Sequence, residues 1–209
     1  MPLALYRNIT DHSAFAIWRI TEETDSLLLC LPESERNGAL AKHDKGRSEY
    51  AASRLLTGIL CQRSGLTYCG IKKDDCDKPH LIGDMAHISI SHSHPYAAAM
   101  IHMKMSCGID IERPKEKIHR IAHKFVNVEE EKWVSEKLEN LTLVWSAKET
   151  LYKIYGRKKL AFKEDMMVIP SGNKAGESLV GSVNSENSEK KYNLGIERIE
   201  DFIITFLES

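Results

Sequence analysis

Two carboxylates stand two residues apart in the segment C-G-I-D-I-E-R-P, residues 107–114. In an extended strand, Ile109 and Ile111 point to one face, and Asp110 and Glu112 point to the other. Neighbouring like charges repel each other unless a positive charge lies between them. The segment therefore predicts either a strand with a solvent-exposed face or a site for a divalent cation.

A third carboxylate, Glu149, lies in a segment with the apolar spacing of an amphipathic helix. Lys153 is four residues further on and Trp145 is four residues earlier, so all three side chains share one helix face. An exposed Glu–Lys pair of this kind is a common surface feature that adds little stability. Together with Asp110 and Glu112, however, the pair provides the carboxylates and the cation that a Mg²⁺-dependent phosphoryl site needs.

The elements that must position these residues can be predicted from the hydrophobic spacing. Strands are predicted at residues 3–9, 14–20, 88–92, 96–103 and 107–112, and helices at residues 24–31, 45–63, 127–138 and 141–155. Residues 77–81 must turn, and residues 171–193 are predicted to form loops around one short strand at 178–183, before a final strand at 201–208. Asn127 and Glu130 have the spacing of a capping box. Because helices and strands are segregated, we expect an α+β fold in two halves that meet near Met105.

The composition excludes several classes of protein. The chain has 209 residues, of which 42% are hydrophobic, and its 29 basic residues are balanced by 30 acidic ones. Such a balance provides no general attraction for nucleic acid or an anionic membrane. No segment predicts a membrane span or a secretion signal, so we expect a cytoplasmic protein.

Cysteine and histidine spacing gives little support to other metal sites. The five cysteines include no C-x-x-C pair, which argues against a disulfide framework or a zinc ribbon. His87, His92 and His94 lie close together in sequence, but no Cys or acidic ligand stands at a usual zinc-site spacing. A histidine–zinc site therefore remains only a weak alternative.

Two motifs in the second half are similar to those of a known family. G-I-D-I-E at 108–112 and W-S-A-K-E-T-L-Y-K at 145–153 resemble the signature motifs G-x-D-x-E and W-x-x-K-E-x-x-x-K of the 4′-phosphopantetheinyl transferases. The separation between the motifs, about 35 residues with a helix between them, also resembles that family. The chain is therefore identified as a candidate member of this superfamily.

Two further motifs in the first half resemble the two-halved, surfactin-synthetase-activating type. D-K-P-H-L at 77–81 is similar to its G-K-P-x-L turn, and I-S-I-S-H-S at 88–93 is similar to its F-N-x-S-H-S segment. The departures from the family pattern are Asp77 for Gly, Ile88 for Phe and Ser89 for Asn. None of them removes a charge that the chemistry requires.

The resemblance implies a holo-acyl-carrier-protein synthase type of activity. Such enzymes transfer the 4′-phosphopantetheine group of coenzyme A to a serine of an apo acyl, peptidyl or polyketide carrier protein and release adenosine 3′,5′-bisphosphate. The reaction depends on Mg²⁺, with Mn²⁺ as an alternative. The implied fold has two similar α+β halves related by a pseudo-twofold, in a monomer that binds neither nucleic acid nor membrane.

The resemblance also assigns a role to each half. Residues 1–105 would contact the adenine and phosphates of coenzyme A, and residues 106–209 would supply the metal ligands and the catalytic helix, with coenzyme A in the cleft between them. Asp110, Glu112 and Glu149 would hold the metal, and Glu149 would also act as the general base unless a metal-bound water does so.

The remaining expected contacts are to coenzyme A. Lys153 would bind a phosphate as part of the catalytic machinery, and Lys148, which lies about 100° around the helix, would have a lesser role. The coenzyme A contacts implied for the first half are Lys45, Arg47, Arg54, Lys78, Pro79, Ser91 and His92. For Lys45 and Arg47, in the helix predicted at 45–63, a solvated helix face is the alternative.

Two other functions would account for some of the same residues. A Mg²⁺-dependent nuclease also combines strand and helix carboxylates with a lysine, but Glu112 is followed by Arg113 and Pro114 rather than by the Glu-x-Lys pattern of such sites. A non-catalytic paralogue that binds coenzyme A or a carrier protein is the second alternative. The presence of all three carboxylates and of Lys153 argues against it. No G-x-G-x-x-G or Walker loop predicts a nucleotide fold.

Overall fold

The computed structural model describes residues 3–40, 42–135, 137–157, 160–172, 178–185 and 188–208. The chain divides into two compact units, Met1–Cys107 and Gly108–Ser209. Each unit combines one antiparallel sheet with helices, which confirms the predicted α+β class. The assignment of separate roles to the two halves stays a prediction.

The first unit contains a six-stranded sheet in the order β1-β2-β6-β5-β4-β3. Its strands are β1 (Leu3–Thr10), β2 (Ser13–Arg19), β3 (Ile71–Lys73), β4 (Pro79–Leu81), β5 (His87–Ser93) and β6 (Tyr96–His102), and its helices are α1 (Thr24–Leu29), α2 (Glu33–Leu40) and α3 (Asp44–Arg63). Neighbouring strands pair antiparallel throughout.

Helix α3 packs against strands β2, β5 and β6 of this sheet. Small buried side chains line the contact, with Ala51 and Ala52 on the helix and Ala97 and Ala99 on β6. Because these methyl groups fill little space, the helix backbone can approach the sheet closely. The polar side chains at the N-terminal end of α3 are thereby held beside the end of β5.

The second unit contains a five-stranded sheet in the order β7-β11-β10-β9-β8. Its strands are β7 (Ile109–Glu112), β8 (Met166–Pro170), β9 (Ser178–Ser185), β10 (Ser188–Ile199) and β11 (Phe202–Leu207), and its helices are α4 (Lys117–Ile121), α5 (Val128–Val134) and α6 (Leu138–Tyr155). A short 3₁₀ turn, Ala122–Lys124, lies between α4 and α5.

Helix α6 lies directly on β7 and β11, so the two motifs of the second half are in contact. A Cβ on Gly108 would come within 2.4 Å of the Thr150 carbonyl oxygen, and this closeness requires glycine. Thr150 Oγ1 and Ser146 Oγ both hydrogen bond to Thr205 Oγ1, at 2.7 and 3.0 Å. Thr205 pairs with Asp110 across the sheet, so this polar contact fixes the helix beside the carboxylate strand.

Several predicted elements differ from those observed. The helix expected over 127–138 begins with the predicted Asn127–Glu130 capping box but ends at Val134, because Ser135 adopts a positive φ of 47°. The short strand expected at residues 178–183 is confirmed as β9, but the loop expected after it is wrong from Ser188 onward, where β10 forms a long antiparallel pair with β9. Residues 173–177 and 186–187 of that prediction lie outside the described residues. The short α2, α4, β3 and β8 were not predicted, because their periodicity extends over too few residues.

In the parts of the chain that the structure describes, no helix combines the length and the apolar character needed to cross a membrane.

Candidate active site

Asp110 joins the two motifs of the second unit. It lies in β7 with its side chain 96% buried, and its Oδ1 is 2.7 Å from Nζ of Lys153 on α6. The same ammonium donates to the Ile109 carbonyl at 3.0 Å. The predicted neighbourhood of the strand carboxylates and the helix lysine is therefore present in the structure.

Glu112 extends from the same strand toward Trp145. Burial and the negative charge of Asp110 raise the pKa of Glu112, while a hydrogen bond with Trp145 lowers it. The Trp145 ring is held by Phe125 and Phe162, whose ring centroids each lie 5.2 Å away. Trp145 therefore links an aromatic cluster to the carboxylate, a role that the sequence did not assign to it.

Glu149 is half-buried on the face of α6 that carries Lys153. Burial and the negative charges of Asp110 and Glu112 together raise the pKa of Glu149 to about 7, against the opposing effect of Lys153. The three carboxylates thus influence one another through space, as groups that share one site do. A carboxyl with a pKa near neutrality can accept a proton at physiological pH.

The donor set suits a hard divalent cation in its chemistry. Mg²⁺ prefers carboxylate oxygens, and a cation would relieve the mutual repulsion that raises these pKa values. Among the described residues, however, no group of three His, Cys, Asp or Glu side chains is arranged to hold a metal ion. Lys153 instead contacts Asp110, so the assignment of Asp110, Glu112 and Glu149 as ligands stays a prediction.

Lys148 lies in the interior of the second unit. Its side chain is 0% exposed, and its ammonium contacts Glu130 at 2.8 Å and donates to the carbonyls of Phe125 and Phe162. Burial lowers the pKa of Lys148 and raises that of Glu130, and the ion pair opposes both shifts. These contacts hold the Lys148 ammonium inside the unit, and its expected lesser role toward coenzyme A stays a prediction.

The sequence predicted Glu130 only as part of the capping box with Asn127, and its other contacts were not predicted. Its carboxylate accepts from the Asn127 and Val168 amides, both at 2.9 Å, in addition to Lys148. It therefore ties α5, β8 and α6 together. Lys148 and Glu149 are adjacent in the motif but have different surroundings. Lys148 contacts Glu130, and Glu149 lies near the carboxylates of β7.

In the first unit, His92 lies at the end of β5 and contacts α3. Its Nδ1 is 3.3 Å from Oε2 of Glu49, whose side chain is only 10% exposed. Neighbouring Ser91, predicted with it as a coenzyme A contact, is buried in the same strand. Glu49 was not predicted, because nothing in the sequence separates it from the other charged residues of the helix.

Lys78 and Pro79 stand where the predicted turn meets β4. Asp74 accepts hydrogen bonds from the Cys76 and Lys78 amides, and Lys78 Nζ donates to Ser106 Oγ. Burial lowers the pKa of Lys78. The turn was predicted slightly too long, since Pro79 already belongs to a strand.

Asp77 occupies the position at which the motif has glycine. Its φ is +65°, a left-handed conformation that glycine adopts freely and that Asp tolerates better than most residues. The departure from the motif therefore preserves the backbone shape of the turn.

The basic residues predicted on α3 have different surroundings. Arg54 is half-buried, contacts Glu35 at 3.2 Å and stacks 3.3 Å from the centre of the Tyr50 ring. Arg47 donates to Asp44 at 3.3 Å on the partly exposed first turn, and Lys45 is exposed. Of these three, Arg54 already has a structural partner, while Arg47 and Lys45 lie where an anion can reach them.

The comparison with protein families agrees with the motifs. A model of the 4′-phosphopantetheinyl transferase superfamily matches residues 106–207, a range that contains all three carboxylates and Lys153. The resemblance predicted from the sequence is confirmed at the level of the superfamily for this domain. A search of curated proteins returns no match.

Proposed function

We propose, from the superfamily domain at residues 106–207, that the chain transfers 4′-phosphopantetheine from coenzyme A to a serine of an apo carrier protein. The proposal includes Mg²⁺ dependence, with Mn²⁺ as the alternative metal, and a monomeric cytoplasmic enzyme of the holo-acyl-carrier-protein synthase type. It also includes the two-halved, surfactin-synthetase-activating subclass with its pseudo-twofold.

The observation that carries the proposal is the contact between Lys153 and Asp110. It brings G-I-D-I-E and W-S-A-K-E-T-L-Y-K together, although the two residues are 43 positions apart in the chain. A surface Glu–Lys pair would not require the lysine to reach a buried aspartate on another element. The contact therefore favours a shared site over two unrelated motifs.

The surroundings of each side chain support a role for it in the proposed reaction. Glu149, with a pKa of about 7, accepts the proton of the attacking serine hydroxyl directly or through one water. Lys153 can exchange its contact with Asp110 for a phosphate oxygen and so offset negative charge on the leaving group. Asp110, Glu112 and Glu149 would hold Mg²⁺, which supplies charge neutralisation at the phosphates when bound.

The first unit is proposed to recognise coenzyme A. His92, Ser91, Lys78 and Pro79 are retained as contacts, with Arg47 and Lys45 as additional cations. Arg54 would contribute only if it exchanged Glu35 for a phosphate, because its guanidinium is already paired.

An intact-mass assay tests the proposal. The purified protein is mixed with coenzyme A, Mg²⁺ and unmodified carrier proteins of the acyl, peptidyl and polyketide classes, and a parallel reaction contains EDTA. We expect a carrier mass increase of one phosphopantetheine that EDTA abolishes. Glu149→Gln should lose the transfer, while Glu139→Gln, an exposed residue on the same helix, should retain it.

The alternatives give different results in the same experiment. A binding paralogue would be stabilised by coenzyme A against heat but would modify none of the carriers. A nuclease would show neither stabilisation by coenzyme A nor carrier modification. Failure of both transfer and coenzyme A binding would overturn the proposed function.

A further inference from the structure

The structure assigns Glu49 as a positioning residue that orients His92 for binding an anionic phosphate group, an inference that rests on the proposed function. Glu49 lies one turn into α3, and His92 lies at the end of β5. The two residues are 43 positions apart in sequence, so only the packing of α3 on the sheet brings them together.

The burial of the two side chains is strongly unequal. The Glu49 side chain is 10% exposed, whereas that of His92 is 52% exposed. A buried carboxylate is costly unless a polar or charged group lies near it, and the His92 imidazole lies within ion-pair distance of this one. The histidine is thus held from the protein side and open on the solvent side.

The contact distinguishes the two ring nitrogens of His92. Nδ1 is 3.3 Å from Glu49 Oε2. Because an ionised carboxylate can only accept, this proximity favours the form of the ring that carries a proton on Nδ1. Nε2 is on the opposite edge of the ring and is the nitrogen left for a ligand. When Nε2 also carries a proton and donates to a phosphate oxygen, the Glu49 carboxylate balances the positive charge on the ring.

His92 belongs to a strand face whose other side chains are apolar. His92 pairs across β5 and β6 with Ala97, whose methyl group is small and fully buried. Ile88 and Ile90 precede His92 on the α3-facing side of β5 and pack into the apolar core. The imidazole is therefore the polar end of an otherwise apolar strand face.

A merely structural ion pair between α3 and β5 is the alternative interpretation. It predicts that loss of Glu49 lowers stability but acts on binding only by loosening the unit as a whole. If Glu49 positions His92, loss of Glu49 should weaken ligand binding only when His92 is present. The two interpretations can therefore be separated by combining the substitutions.

Isothermal titration with adenosine 3′,5′-bisphosphate and with coenzyme A provides the first test. We expect Glu49→Leu to weaken both ligands by about tenfold, as expected for loss of one charge-assisted hydrogen bond. Glu49→Gln retains an acceptor and should weaken them by less than about threefold. In steady state, Glu49→Leu should raise KM for coenzyme A more than it lowers kcat.

The double substitution decides between the interpretations. In a His92→Ala background, we expect Glu49→Leu to weaken the same ligands no further. A tenfold loss in that background would overturn the inference, because Glu49 would then act without His92.

The imidazole itself gives a spectroscopic readout. With ¹⁵N-labelled histidine, the wild-type protein should show His92 protonated at Nδ1, and Glu49→Leu should lose this preference. Should Glu49→Leu fail to fold, the wild-type signal and Glu49→Gln still test the inference. A wild-type ring protonated at Nε2 alone would overturn it.

A matched control is available in the second unit. His119 and Glu116 form another His–Glu pair, at 3.7 Å, on an exposed helix end. Glu116→Gln should leave both affinities within about twofold of wild type. If the wild-type protein binds neither ligand, the proposed function fails; if it binds both and Glu49→Leu binds them equally well, only the present inference fails.

Discussion

The ammonium of Lys148 lies 2.8 Å from the carboxylate of Glu130, and neither side chain is exposed to solvent. Removal of one partner leaves a buried charge without compensation, which costs about 3–5 kcal/mol. We expect Lys148→Met to lower the free energy of unfolding by that amount, measured by urea denaturation. Lys132→Met breaks the exposed pair with Glu129 and should cost less than about 1 kcal/mol.

The double variant Lys148→Met/Glu130→Gln completes this test. It removes both charges, so it should lose less stability than the sum of the two single variants. Equal losses for Lys148→Met and Lys132→Met would contradict the anchoring role of the buried pair.

Gly108 permits helix α6 to approach strand β7. Gly108→Ala would place a Cβ 2.4 Å from the Thr150 carbonyl oxygen and 2.8 Å from Ile154 Cγ1. Because backbone must move to accept it, we expect a loss of about 1–3 kcal/mol or more in thermal or urea unfolding. Gly46→Ala on α3 meets Lys42 Cβ at an ordinary 3.5 Å and should be neutral or slightly stabilising. Equal stability of the two variants would show that the close approach is not required.

Lys153 should affect metal binding and transfer in opposite directions. Lys153→Met removes a positive charge 2.7 Å from Asp110, so the carboxylates should bind Mn²⁺ at least about threefold more tightly. Transfer should nevertheless fall by about a hundredfold or more, because the phosphate loses its cation. Electron paramagnetic resonance measures the first effect and the intact-mass assay the second, with Lys137→Met on the exposed end of the same helix as the control. Weaker Mn²⁺ binding would contradict the shared site.

Glu149 should make the metal-free protein less stable as the pH rises. Its pKa is about 7 in the folded protein against an ordinary 4.5, so between these values the folded state binds more protons than the unfolded state. The free energy of unfolding therefore falls as pH increases through this window. At pH 8, metal-free Glu149→Gln should be about 2 kcal/mol more stable than wild type, and the difference should vanish near pH 4.

The response to metal provides the check on Glu149. Added Mg²⁺ should raise the Tm of the wild-type protein at pH 8 and should have a smaller effect on Glu149→Gln. If wild type is the more stable protein at pH 8 without metal, the carboxylate is not destabilised as described.

A row of histidines should make the first sheet sensitive to acid. His80, His87 and His102 are cross-strand neighbours on β4, β5 and β6. Burial lowers the pKa of His87 and of His102, and the surrounding positive charges, among them Lys78 and Lys104, lower these pKa values further. Below the ordinary pKa of 6.5, the unfolded chain therefore takes up protons that the folded chain excludes, and stability falls as pH decreases.

Hydrogen exchange of the β5 and β6 amides measures this effect. Between pH 7 and pH 5, after correction for intrinsic exchange, protection of these amides should decrease in the wild-type protein. His102→Asn keeps an acceptor for the Lys104 and Met105 amides and should reduce the decrease. His119→Asn in the other unit serves as the control, and an unchanged decrease in His102→Asn would contradict the prediction.

Local patterns predicted much of the second unit. Apolar and acidic residues alternate along G-I-D-I-E, and apolar residues recur at helical spacing in α6. The capping box of α5 joins two residues three positions apart. Each of these patterns involves only residues that are close in sequence. The missed pairing of β9 with β10 has a different origin. Its polar side chains give a weak pattern, and the two strands are defined by their partners rather than by their own periodicity.

The sequence alone predicted which residues would carry the chemistry of the proposed function: three carboxylates, a lysine and a histidine, together with most of the elements that hold them. Only the tertiary structure decided which neighbouring charge faces which partner. Lys148 and Glu149 are adjacent, yet one is enclosed with Glu130 and the other lies beside β7, because successive helix residues point about 100° apart. Glu49 and Lys153 likewise acquired their partners from packing between elements 43 residues apart, a distance over which local propensity carries no information.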